Sequence, residues 1–62
     1  MRYEVIAYGK DGKRLECFKT RIGKRAMLMF FLMKRVEANH KVTMHENGKL
    51  TMAYSKGEDP WE

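Results

Sequence analysis

The sequence predicts an α+β fold in the order ββαββ: a four-stranded antiparallel sheet of two hairpins, covered on one face by a single α-helix. Two stretches of β-forming residues each have a turn signal at their centre, Asp11-Gly12 and Asn47-Gly48, typical of β-hairpins. A run of helix formers lies between them. With 62 residues and 44% hydrophobic composition, we expect one domain over residues 1–57 and an acidic tail over 58–62.

The first hairpin turns at Gly12, which we expect at positive φ after a three-residue loop. Such a loop places Ala7 opposite Leu15. Two residues further from the turn, it places Val5 opposite Cys17. Because a slip of one residue would send each apolar set to the other face of the sheet, the pattern favours this register.

The second hairpin turns at Gly48, for which we also expect positive φ and a three-residue loop. This loop places Met44 opposite Leu50 and Val42 opposite Met52. The strand order that joins the two hairpins into one sheet is not determined by the sequence. The predicted core face contains Tyr3, Val5, Ala7, Leu15, Cys17, Val42, Met44, Leu50 and Met52.

A helix is predicted within residues 22–38, with Thr20 or Gly23 as its cap. One apolar stripe at three- and four-residue spacing should pack on the sheet, flanked by Phe30 and Leu32. Its members are Ile22, Ala26, Met29, Met33 and Val36.

The net charge of +5 is unevenly distributed. Residues 1–57 hold all 13 Lys and Arg against five acids, a balance of +8, whereas residues 58–62 carry three acids and no base. A basic body favours a polyanionic partner, either nucleic acid or an acidic protein surface, although a solvated basic surface is the alternative. A lone Cys17 forms no internal disulfide, so we expect a reducing cytoplasm.

Enzymatic and membrane functions are not expected. The chain has one Ser, no zinc-ligand spacing and no phosphate loop, so we predict no catalytic residues, metal, cofactor or small-molecule substrate. The longest apolar run, residues 26–33, is far shorter than the about 20 residues of a membrane span.

The outward face of the sheet is the first candidate site. Aromatic side chains among cations can stack unpaired nucleotides while the cations hold phosphates, although such residues also occur on ordinary exposed sheets. Glu4 and Glu16, which are predicted on the same face, oppose nucleic-acid binding. The candidate binding residues are Arg2, Tyr8, Arg14, Phe18, Lys41 and Lys49.

The start of the helix is a second candidate anion site. Arg21, Lys24 and Arg25 lie near the positive end of the helix dipole, where acids are normally favoured. A bound phosphate or carboxylate would offset that repulsion. Alternatively, the three side chains simply extend into water.

Surplus apolar residues on the helix are the third feature. Met27, Leu28 and Phe31 point away from the predicted stripe, and one sheet covers only one side of a helix. They predict association, with a homodimer as the expected form. Alternatively, Trp61 in the acidic tail covers Met27 and Phe31.

The function predicted from these features is a small non-enzymatic binding protein that engages an anionic partner. Nucleic acid, either RNA or single-stranded DNA, is favoured by the basic body and the aromatic sheet face. The alternative is a protein–protein inhibitor or adaptor, of the kind that phages encode as accessory proteins, acting through the apolar helix surface.

Overall fold

The computed structural model describes residues 2–55, which form one four-stranded antiparallel sheet and one helix. In chain order the elements are β1 (Tyr3–Tyr8), β2 (Arg14–Thr20), α1 (Gly23–Arg35), β3 (Lys41–Glu46) and β4 (Lys49–Ser55). The predicted ββαββ fold is confirmed. Residues 58–62, predicted as a tail, lie outside the described residues.

The strand order is β2-β1-β3-β4, so the first strand of each hairpin lies at the centre of the sheet. β1 and β3 pair antiparallel along their whole length, from Tyr3 opposite Glu46 to Tyr8 opposite Lys41. This arrangement joins the two hairpins into a continuous surface on each side of the sheet. We call the side that packs on α1 the helix side and the other the outward face.

Both turns have a glycine at positive φ, as predicted, but the two loops differ in length. Gly12 and Gly48 each have φ of 84°. The first loop has the predicted three residues, since the Gly9 N–H donates across it to the Lys13 carbonyl at 2.8 Å. In the second, Asn47 also has positive φ, 51°, which makes a two-residue type I′ turn. The three-residue prediction for this loop is wrong.

Each hairpin contains a β-bulge that the hydrophobic pattern did not predict. Leu15 is an extra residue in β2, and Thr51 is an extra residue in β4, where its hydroxyl donates to the Met44 carbonyl at 3.0 Å. Each bulge shifts the pairing beyond it by one residue. The resulting pairs are Ala7 with Glu16, Val5 with Phe18, Met44 with Met52, and Val42 with Tyr54.

The bulge in β2 and the shorter second loop change the predicted faces of several side chains. Cys17 lies opposite Ile6 and Leu50 opposite His45, so both belong to the outward face, and both are exposed rather than in the core. Leu15 is exposed as well. Phe18 was predicted on the outward face, but it lies on the helix side. Its pairing with Val5 brings it there, and it packs against the core.

The helix buries a narrower set of residues than the predicted stripe. Ala26, Phe30 and Met33 lie in the core with Val5, Ala7, Val42 and Met44, and Met29 packs against it half-buried. Ile22 and Val36 are exposed because they are the cap residues at the two helix ends rather than members of a helical turn. Leu32 is also exposed.

The two helix ends are held by different means. At the start, Ile22 is the N-cap and forms no capping bond, while the Thr20 hydroxyl accepts a hydrogen bond from the Ile22 N–H outside the first turn. Neither predicted cap, Thr20 or Gly23, therefore caps the helix. At the other end, the buried Asn39 side chain donates from Nδ2 to the Met33 carbonyl at 3.0 Å.

Candidate functional site

One cross-strand row on the outward face brings together three of the predicted binding residues. Tyr8 on the central strand β1 lies between Arg14 on β2 and Lys41 on β3. Directly opposed residues of neighbouring strands have Cβ atoms about 5 Å apart, so Tyr8 has a basic residue as its neighbour on each side. This is the arrangement of aromatic and basic residues that the sequence predicted for stacking a base and holding phosphates.

A groove of about 610 Å³ begins at this row and extends over β3 and β4. The first turn closes one end of it, while His45 and Leu50 line it near the opposite end of β3. The residues lining the groove are Tyr8, Gly9, Lys10, Gly12, His40, Lys41, Thr43, His45, Leu50 and Ser55.

Two buried polar atoms of groove residues have no hydrogen-bond partner among the described residues. Thr43 is only 6% exposed, and its Oγ1 is one of these atoms. The other is Nδ1 of the half-buried His45, two residues further along β3. A buried polar group without a partner costs about 1–3 kcal/mol, which is why such groups are rare. A ligand that supplied the missing partners would recover part of this cost.

The bulge in β2 also changes the charge of the outward face. Glu16 lies opposite Ala7 on the helix side, so it is not among the outward residues as predicted. Among the outward-facing residues of the four described strands, Glu4 is then the single acid, against Arg14, Lys19 and Lys41. The face is therefore more cationic than the sequence pattern indicated.

A second cluster of cations lies at the opposite end of β1 from Tyr8. A groove of about 390 Å³ is lined by Arg2, Tyr3, Glu4, Lys19, Thr20 and Arg21, so the predicted residues Arg2 and Arg21 lie together there. Lys24 and Arg25 are exposed on the first turn of α1 and line neither groove. The structure thus separates the predicted anion-binding residues into several groups.

Two predicted residues lie on the wrong side of the sheet for an outward site. Phe18 packs against the core on the helix side. Lys49 pairs with Glu46 in the row of Tyr3, which is also on the helix side. Their predicted placement on the outward face is therefore wrong, and the physical reason is the pairing shift caused by the bulges and by the shorter second loop.

The side of α1 away from the sheet carries the apolar surplus that the sequence predicted. Met27, Leu28 and Phe31 are exposed there, together with Leu32, with exposed fractions between 46% and 58%. We call these four residues the outer helix face. Leu32 lies four residues after Leu28, so helical spacing alone would have placed it in this group rather than beside the core.

Lys10, His40 and Leu50 are among the groove residues that were not predicted as site residues from the sequence. Lys10 lies in the first turn, and His40 lies in the segment before β3. Only the tertiary structure brings these two residues close to Tyr8. The His40 N–H donates a hydrogen bond to the Tyr8 carbonyl at 2.8 Å. Leu50 was predicted in the core because a three-residue loop was expected; with the two-residue turn it lies opposite His45 on the outward face. No local sequence signal distinguishes Lys10 and His40, whereas Asn47-Gly48 is a frequent pair in the two-residue turn that places Leu50 on the outward face.

Comparison with known proteins adds no functional information: no protein family, curated protein or solved structure matches the chain. Within residues 2–55, no group of three or more His, Cys, Asp or Glu side chains is placed to hold a metal ion. No helix in that range is long and apolar enough to cross a membrane.

Proposed function

We propose that this protein binds single-stranded nucleic acid on the outward face of its sheet, as a non-enzymatic binding protein of the cytoplasm. The observation that carries the proposal is the groove beside Tyr8 and Lys41, with the buried, unpartnered Thr43 hydroxyl among its lining residues. The exposed free thiol of Cys17 is compatible with a reducing compartment.

Unpaired nucleotides fit this face better than a duplex does. The Tyr8 ring offers a surface on which a base can stack, and stacking requires a base that is not enclosed in a double helix. Arg14 and Lys41, on either side of the ring, would contact the phosphates before and after that base. Thr43 and His45 line the groove, and a rotation of either side chain would turn the buried Oγ1 or Nδ1 toward the polar edge of a base, which would supply the missing partner.

The first experiment measures fluorescence anisotropy of labelled 12-nucleotide RNA and DNA single strands over a series of salt concentrations. Lys41→Gln should lower the affinity several-fold and reduce the salt slope by about 1, as expected for a lost phosphate contact. Lys49→Gln is the matched control, because it removes the same charge from the same hairpin on the helix side of the sheet. Equal losses in both variants would contradict a site in the groove.

A second pair of variants tests the uncharged part of the site. Tyr8→Leu should weaken binding by about 5-fold or more, since base stacking on an aromatic side chain contributes about 1–3 kcal/mol. Thr43→Val should also weaken binding, yet raise the free energy of unfolding by about 1 kcal/mol, because it removes a buried hydroxyl that has no partner. If Thr43→Val leaves the affinity unchanged, the hydroxyl has no role in recognition.

A further inference from the structure

We infer that the outer helix face docks an acidic amphipathic helix of another protein. Met27, Leu28, Phe31 and Leu32 form a continuous exposed apolar strip along α1 on the side opposite the sheet. Large exposed apolar groups of this kind are typical of surfaces that bind proteins. This inference does not rest on the proposed nucleic-acid binding, because the two surfaces lie on opposite sides of the molecule.

The charges around this strip are all of one sign. Lys24 and Arg35 lie on the same side of the helix as Leu28, one at each end of the strip, and at the helical rise per residue they are about 16 Å apart. The sequence contains no acid between Glu16 and Glu37. A partner bound on the strip would therefore lie beside a cation at each end and would contact no carboxylate of α1.

A second copy of this chain is a poor occupant for that reason. If two copies of α1 pair in the same direction, Lys24 lies against the Lys24 of the other copy. If they pair in opposite directions, Lys24 of each copy lies against Arg35 of the other. Like charges in contact are unfavourable in either arrangement, and no acid on the helix compensates them. The homodimer predicted from the apolar surplus has this electrostatic disadvantage.

An acidic helix removes the repulsion and keeps the apolar contact. Two carboxylates eleven residues apart on one side of a helix would match the separation of Lys24 and Arg35, with apolar residues between them to cover the strip. Phe31 is already positioned as an aromatic anchor. Its ring makes an edge-on contact with Phe30 at 5.9 Å between centroids, and Lys34 Nζ lies 5.0 Å from the Phe31 ring centroid.

The test uses a labelled amphipathic peptide of 18 residues with one leucine-rich side and two Glu residues eleven apart on that side. We expect it to bind the full chain, and the same peptide with both Glu changed to Lys not to bind. Leu28→Gln should weaken binding by about 10-fold or more, since a central apolar contact is lost. The double variant Lys24→Gln with Arg35→Gln should weaken it about 3- to 10-fold at low salt.

The matched control for charge is the double variant Lys13→Gln with Lys49→Gln, which removes two exposed cations away from the outer helix face. It should leave peptide affinity within about two-fold of wild type. Equal loss in the two double variants, or equal binding of a peptide with Gln in place of both Glu, would overturn the inference. A Leu28-dependent dimer in sedimentation equilibrium, or Leu28-dependent binding to phosphatidylglycerol vesicles without peptide binding, would overturn it in favour of another occupant.

Discussion

The two exposed surfaces of this molecule differ in shape although both are cationic. On the outward face of the sheet, Ile6 and Thr43 are buried by their neighbours and a groove lies above β3 and β4. On the outer helix face, the apolar side chains project from a single convex helix. The groove contains polar atoms that lack partners, whereas the helix surface offers apolar area bordered by cations.

Net charge alone therefore does not identify the partner of a small basic protein. A groove with unpartnered polar atoms suits a flexible ligand that brings its own donors and acceptors, such as an unpaired nucleotide. A convex apolar strip suits a partner with a complementary apolar side. The salt dependence should also differ: phosphate contacts weaken steeply with salt, and an apolar contact with charges at its ends weakens less.

The largest expected effect separates the two sides of α1, where Phe30 is 2% exposed and its neighbour Phe31 is 47% exposed. Phe30→Ala should lower the free energy of unfolding by about 3–5 kcal/mol, because it leaves a cavity in the core. Phe31→Ala should lower it by less than about 1 kcal/mol. Urea unfolding of both variants measures the difference, and equal destabilisation would show that Phe31 is covered rather than exposed.

A smaller effect is expected at the turn that sets the pairing of β3 with β4. Gly48 has φ of 84°, and a Cβ there would contact nothing within 4 Å, so any cost comes from backbone conformation alone. Gly48→Val should lower stability by roughly 1–2 kcal/mol, whereas Gly48→Asn, which tolerates this conformation, should cost less.

The same pair of variants should affect the two surfaces differently. Backbone strain at Gly48 would disturb the neighbouring residue Leu50, which lines the groove. The outer helix face lies far from this turn. Oligonucleotide affinity should therefore fall more in Gly48→Val than affinity for the acidic peptide. A neutral thermal unfolding result would contradict the type I′ assignment of the turn.

The smallest effect concerns the start of α1. The double variant Lys24→Glu with Arg25→Glu places acids near the unpaired N–H groups of the first turn, and each change should raise stability by a few tenths to about 1 kcal/mol. Thermal unfolding measures this gain. The variant should lose affinity for the acidic peptide but keep its affinity for oligonucleotides. If oligonucleotide binding is lost instead, the nucleic-acid site lies at the helix start, as the sequence alone also allowed.

The candidate site was predictable in part. Alternation along β1 and β3 placed Tyr8 and Lys41 on one face, because these strands contain no extra residue and the two-residue period holds throughout. It failed for Phe18 and Leu50, which lie beyond a bulge or beside a turn of different length. The alternation of apolar and polar residues does not show where a β-bulge adds an extra residue to a strand.

Features that depend on interactions between near neighbours in the chain follow directly from the amino-acid sequence. Positive φ at Gly12 and Gly48 follows from turn chemistry, and the helix follows from propensity and apolar spacing. The exposed surplus of Met27, Leu28 and Phe31 follows from a helix with more apolar residues than one sheet can cover.

The strand order, the two bulges and the burial of the Thr43 hydroxyl depend instead on contacts between elements that are distant in the sequence. In the second hairpin, the two-residue turn without a bulge would pair Met44 with Thr51. The extra residue in β4 instead pairs Met44 with Met52, on the side that α1 covers. Turn geometry and apolar burial thus favour different registers, and the bulge satisfies both because it lets the strand change register after the turn.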